Sequence, residues 1–148
     1  MNTVIIDGGI VDGERGGSTS VEAAILALVI GLLIAFAIAG GRLVTSEAAA
    51  DHSARSAART ASLQRDAASA AAAAGAVARS VLAEQGLRCA SLDVTVDSSG
   101  FARPLGSAAS VTAVVRCAVD WADLGLPGAG TRTVESTAVS PIDRWRER

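Results

Sequence analysis

Three hydrophobic patterns follow one another along the chain. The first is a continuous apolar run from Ala23 to Gly41, free of charge and flanked by Glu22 and Arg42. At the rise of an α-helix it spans about 28 Å, close to the hydrocarbon thickness of a bilayer. A helix that is apolar on every side belongs in a membrane or a protein core. Its start is expected near Ser18 to Ser20, where Thr19 and Glu22 stand at the spacing of a capping box.

The second pattern runs from Leu43 to Gln85, with no proline and with Gly75 as its one glycine. Alanine, the best helix former, dominates it. Asp51, Arg55, Arg59, Ser62 and Asp66 form a polar stripe at helical spacing, and Ala50, Ala54, Ala57 and Ala61 form a facing stripe of small residues. Asp51 and Arg55 are spaced for an i,i+4 pair, and Gly86 is placed to end the helix. A kink or break is expected between Ala67 and Gly75, where alanine offers no bulky contact to fix a direction.

The third pattern has period two. Leu92, Val94 and Val96 alternate with Asp93, Thr95 and Asp97; Val111, Ala113, Val115, Cys117 and Val119 make a longer alternating face; Thr131 to Val139 is a weaker third strand, ended by Pro141. The connections, Ser98 to Ser107 and Trp121 to Gly130, are rich in Gly, Ser and Pro. Three successive strands joined by loops predict an antiparallel meander. The fold class is therefore α+β: a long N-terminal helix, membrane-spanning in its first half, then a small three-stranded sheet. Joining the apolar faces of the first two strands puts Val96 opposite Val111, Leu92 opposite Val115 and Ala90 opposite Cys117, with Cys89 one position off.

Composition narrows the function. Aromatic residues make up 3% of the chain and tyrosine is absent, so a thick globular core is not available. All 13 basic residues are arginine and the net charge is −2, with no basic cluster to support nucleic-acid binding. His52, the single histidine, has no ligand-spaced partners, and Asp93, Asp97, Asp120 and Asp123 read as solvent-facing strand and loop residues. No phosphate loop or nucleophile elbow is present, so neither an enzyme, a cofactor, a metal nor a small-molecule substrate is expected. Trp121 and Trp145 read as packing or interfacial residues. Cys89 and Cys117 both follow the apolar run; export of that segment favours a disulfide, and retention in the cytosol favours two thiols.

The apolar run has three possible fates. Ala35-Phe36-Ala37 and Ala37-Ile38-Ala39 match a signal-peptidase site, but the run is long and its leader acidic. Length and composition equally allow a one-pass anchor. Arg42, Arg55 and Arg59 follow the run while Arg15 alone precedes it, which by the positive-inside rule favours a cytoplasmic C-terminal side, opposite to the disulfide argument.

The third fate comes from a resemblance. Gly17, then Ser18-Thr19-Ser20-Val21-Glu22 and an apolar helix, resembles the processing site of type IV pilin-like proteins. The whole layout is similar to TadE-like minor pilins or pseudopilins of tight-adherence (Tad/Flp) systems, of actinobacterial type in the Arg-Gly-Gly before the cut, the cysteine pair and the Ser140 to Arg144 ending. The resemblance implies cleavage between Gly17 and Ser18 by a prepilin peptidase. It also implies a Glu22 carboxylate that meets the terminal amine of a neighbouring subunit, and a Cys89–Cys117 disulfide in an exported domain. The implied partners are the membrane, the peptidase, other pilin-like subunits and the assembly platform. The expected layout is a leader over 1–17, a transmembrane helix over 18–42, an Ala-rich helical stalk over 43–86 and a β domain over 87–148. The N-terminus would be cytoplasmic and the C-terminal domain outside the cell membrane. The alternative is a single-pass, membrane-tethered binding module that enters no pilus.

Overall fold

The computed structural model describes residues 16–145. The leader expected over 1–17 lies outside the described residues as far as Arg15, as does the end of the charged tail from Arg146. Two helices precede a three-stranded antiparallel sheet: α1 (Gly16–Ser62), α2 (Ala67–Glu84), β1 (Ser91–Asp97), β2 (Ala109–Asp120) and β3 (Thr131–Ile142). The sheet order is β1-β2-β3, the meander expected from the alternating pattern. The chain divides into two compact units, Met1–Ala37 and Ile38–Arg148, and α1 contributes to both.

The helix starts earlier than its sequence suggests. Because α1 begins at Gly16, Thr19 to Glu22 lie inside it and the capping box read there is not its N-terminus. In the uncut chain the carbonyls of Gly16 and Gly17 precede this stretch and can accept helical hydrogen bonds four residues on.

The alanine-rich segment is not one continuous helix. It breaks at Leu63 to Asp66, N-terminal to the expected site. The last turn of α1 tightens, with the Leu63 amide donating to the Thr60 carbonyl and the Gln64 amide to that of Ala61. Asp66 then caps α2, its carboxylate accepting from the Ser69 amide at 2.9 Å and the Ser69 hydroxyl at 2.7 Å. At its other end α2 closes as the glycine predicted. Gly86 has φ +71°, the Gly86 amide donates to Ala83 and the Leu87 amide to Leu82, which together form a Schellman motif.

The helices over 43–86 pack beneath the sheet. Ala50, Ala54, Ala57 and Ala61 of α1 and Ala70, Ala74 and Ala78 of α2 are fully buried. Most of them share one cluster with Val111, Ala113 and Val115 of β2 and with Ala138 and Ile142 of β3. Small side chains let the two helices approach closely enough for the buried Ser53 hydroxyl to donate to the Ala78 carbonyl across the helix pair. Ser62, expected on the solvated stripe, is buried as well; its hydroxyl donates to the Arg59 carbonyl and lies 3.0 Å from the Ser140 hydroxyl of β3.

The alternating face of β2 is buried at every position from Val111 to Val119, as the pattern indicated. The β1–β2 register differs from the expected pairing by two residues: Val96 faces Ala113, Val94 faces Val115 and Leu92 faces Cys117. A slip of two keeps each side chain on its own face, so the hydrophobic pattern tolerates it. The connection decides the matter. Its 3₁₀ turn, Ser99–Ala102, seats Gly100 on β2 so tightly that a Cβ would come within 2.2 Å of the Ser110 carbonyl oxygen. Val111 is thereby left beyond the end of β1 and pairs with Ser140 of β3.

β3 also runs past Pro141, which pairs with Ser110, to Ile142. Proline is tolerated there because β3 is an edge strand. On the outer face Arg116 makes two hydrogen bonds to the directly opposite Glu135, at 2.9 and 3.1 Å, and lies 3.6 Å from Asp93.

The capping bonds from Ser69, backbone first and then side chain, hold the Asp66 carboxyl below its ordinary value. A carboxyl lowered by folding stabilises the fold above the ordinary carboxylate range and loses that contribution as pH falls through its lowered value. Asp66→Asn removes the titration and keeps an acceptor. Thermal melts between neutral and strongly acidic pH are expected to show a shallower acid loss for this variant than for the parent; parallel curves would contradict the assignment.

Candidate functional site

Among the described residues the single histidine and the four carboxylates singled out in the sequence do not converge on one cavity. His52 is exposed on α1, and Asp93, Asp97, Asp120 and Asp123 are exposed on strands and loops. Two other features stand out: the apolar stretch of α1 with the residues at its start, and the cysteine pair.

The first unit is helical throughout its described part. Its large side chains point out on every side with nothing covering them: Ile25, Leu26, Leu28, Val29, Ile30, Leu32, Leu33, Ile34 and Phe36 are all exposed. Among the described residues this is the one helix long and apolar enough to cross a membrane. In water such a surface would be strongly unfavourable, so its stable environment is hydrocarbon or another apolar helix.

Gly17 and Ser18 fall in the first described turn of α1, and Glu22 follows just over one turn later. Glu22 is exposed and makes no salt bridge with any described residue. A single carboxylate beside an apolar surface favours a counter-charge supplied from outside. Gly31, Gly40 and Gly41 add a related observation. A Cβ built on any of them would meet nothing within 4 Å. Each glycine costs about 1 kcal/mol of helix stability relative to alanine, and no contact among the described residues requires it.

Cys89 and Cys117 form a disulfide with their Cα atoms 5.3 Å apart. Cys117 lies in the middle of the buried face of β2, opposite Leu92 rather than Ala90. Cys89 precedes β1, where the Ala90 amide donates to the Ala118 carbonyl at 2.7 Å and turns the chain over the sheet. The bond thus ties the α2–β1 connection to the central strand, within a cluster that holds Ala50, Val119, Leu124 and Val134.

One positioning contact was not visible in the sequence. Arg42, the first charged residue after the apolar run, donates from Nη1 to the Asp123 carbonyl in the β2–β3 connection at 3.0 Å. A lone arginine and a loop carbonyl 81 positions apart leave no mark in periodicity or spacing.

These features define an α+β chain with one N-terminal helix suited to a membrane and a small disulfide-bonded domain. Residues 17–59 match the sequence model of the TadE-like protein family. The match begins at Gly17, takes in Glu22 and the whole apolar run, and leaves α2 and the sheet outside. Among curated proteins and among solved structures the chain has no match.

For a separation of 28 residues, loop closure gives the disulfide a stabilising effect of about 3.5 kcal/mol. Replacing both cysteines by alanine is expected to lower the unfolding free energy of the detergent-solubilised chain by about that amount, read from denaturant titrations. A change near zero would mean that the sheet and helices hold the connection without the bond.

Proposed function

We propose that the chain is a TadE-like minor pilin or pseudopilin of a tight-adherence (Tad/Flp) pilus or secretion apparatus. The observation that carries this reading is the family match over residues 17–59, which opens on the glycine of the proposed cut. A prepilin peptidase would cleave between Gly17 and Ser18 on the cytoplasmic side. The apolar run from Ala23 to Gly41 would hold the product in the cell membrane, with the disulfide-bonded domain outside. The disulfide supports that orientation, since such bonds persist in oxidising compartments.

Cleavage would change the chemistry of the helix start. Gly16 and Gly17 are the poorest helix formers of the first turn, so this is the part of α1 most readily opened for a peptidase. Their removal takes away carbonyls that can accept helical hydrogen bonds from residues four positions on. Thr19 then becomes available as N-cap, with Glu22 at the third helical position. The new amine of Ser18 carries a positive charge at neutral pH. Glu22, which no described residue neutralises, suits the corresponding amine of a neighbouring subunit and would set the axial register between them. Gly31, Gly40 and Gly41 would serve the same contact by allowing close approach between helices.

N-terminal sequencing of the membrane-associated protein tests the proposal. A start at Ser18 is expected. An intact Met1 would favour a plain membrane-tethered module, and a start near Gly40 would favour secretion. Glu22→Ala is expected to leave membrane insertion intact and to reduce recovery in sheared pilus or assembly fractions severely. Equal recovery of parent and variant would remove Glu22 from the assembly contact.

A further inference from the structure

We propose that the β2–β3 connection rests on the bilayer surface, with Trp121 in the lipid interface and Arg42 and Arg88 against headgroup phosphates. The inference rests on the membrane-spanning reading of Ala23 to Gly41 and adds a second, peripheral membrane contact made by the folded domain.

Chain connectivity fixes the starting point. Arg42 directly follows the apolar run, so a run that fills the bilayer leaves Arg42 at its surface. Arg42 then locates the loop. Its guanidinium donates to the Asp123 carbonyl, and a Cβ on Gly125 would lie 3.9 Å from the Arg42 Cδ. The direction of β3 gives the same placement independently. Arg132 is 3.9 Å from Glu47, the Ser136 hydroxyl donates to Asp51, and Ser140 meets Ser62. β3 and the second half of α1 therefore run the same way. The strand starts at the end of the domain nearest Arg42, and the connection that feeds it lies there too.

The side chains at this end suit an interface. Arg42 and Arg88 are exposed and line one open cleft of about 540 Å³, together with Asp123 and Leu124. Their long side chains can reach phosphate while their stems lie along apolar surface. Asp120 closes β2 and Asp123 lies in the connection, so the end carries both signs of charge and matches phosphodiester headgroups in general rather than a strongly anionic surface. Trp121 packs its ring over Gly128 and Gly130, where a Cβ would come within 3.7 and 3.0 Å, and remains 38% exposed; Leu126 beside it is 37% exposed. A half-buried indole with an N–H at its edge is the side chain most at home between acyl chains and headgroups. Trp145, 84% exposed, provides the contrast. It follows the end of β3, and the Arg144 carbonyl next to it accepts from Gly106 in the β1–β2 connection, at the opposite end of the domain.

The two tryptophans make the test direct. The full chain carrying Trp145→Phe, which leaves Trp121 as the sole tryptophan, is reconstituted into phosphatidylcholine and phosphatidylglycerol vesicles. The lipids are brominated on the acyl chain close to the headgroup. Trp121 is expected to lose most of its emission in both lipids, and Trp145, in the Trp121→Phe counterpart, to keep nearly all of it. Alkaline carbonate extraction is run on the same vesicles. Protein that resists extraction while Trp121 is quenched no more than Trp145 overturns this inference and leaves the membrane span standing. Protein that carbonate removes overturns the span itself.

Discussion

The folded domain depends on how closely two alanine-lined helices can lie beneath a sheet. Alanine supplies little area per residue, and its apolar transfer energy is correspondingly small. What it permits is proximity. With Ala54, Ala57 and Ala61 on one helix and Ala70, Ala74 and Ala78 on the other, backbones come near enough for a serine to bond across them to a main-chain carbonyl. Larger side chains come from Leu82 of α2 and from the sheet, where Val111, Val115 and Val119 fill space left by the methyl groups. Such a core has few bulky anchors, which explains why a disulfide is set in its midst. The bond supplies a constraint that does not scale with side-chain size.

Local patterns were legible in the sequence, and long-range arrangements were legible only in part. The apolar run, the alternating strands, the glycine that closes α2 and the buried face of β2 each depend on residues a few positions apart. The break at Leu63 is not legible because Asp66 reads equally well as the last member of a polar stripe and as the cap of a new helix; its bond to Ser69 selects the second. The register of β1 on β2 was off by two because alternation repeats at that interval, and Gly100 against Ser110 breaks the tie. The spacing of Ser62 predicts a solvated position, yet Ser140 meets it from a strand 78 positions away.

The proposed site was legible to a different degree. Gly17, Glu22 and the apolar run form one short stretch and so carry their signal locally, and the family match lies over the same residues. Under the proposed function their role is not contained in a single chain. Exposed glycines, a carboxylate that no described residue neutralises and exposed leucines each acquire a physical reason when a neighbour or a bilayer is added. The cysteines are the reverse case: their pairing is complete within the chain, and Cys117 sits where the alternating face of β2 required a buried residue.

The polar contacts between α1 and β3 carry a consequence for motion. A face made of methyl groups is smooth, and a helix on such a face can slide by a fraction of a turn with little change in packing. Glu47 with Arg132, Asp51 with Ser136 and Ser62 with Ser140 act as stops along that path. Each is weak and partly open to water, but they are spaced along the helix so that no single displacement satisfies all three. A force that pulls on the helix would be resisted first by these rungs, and only afterwards by the loss of buried surface.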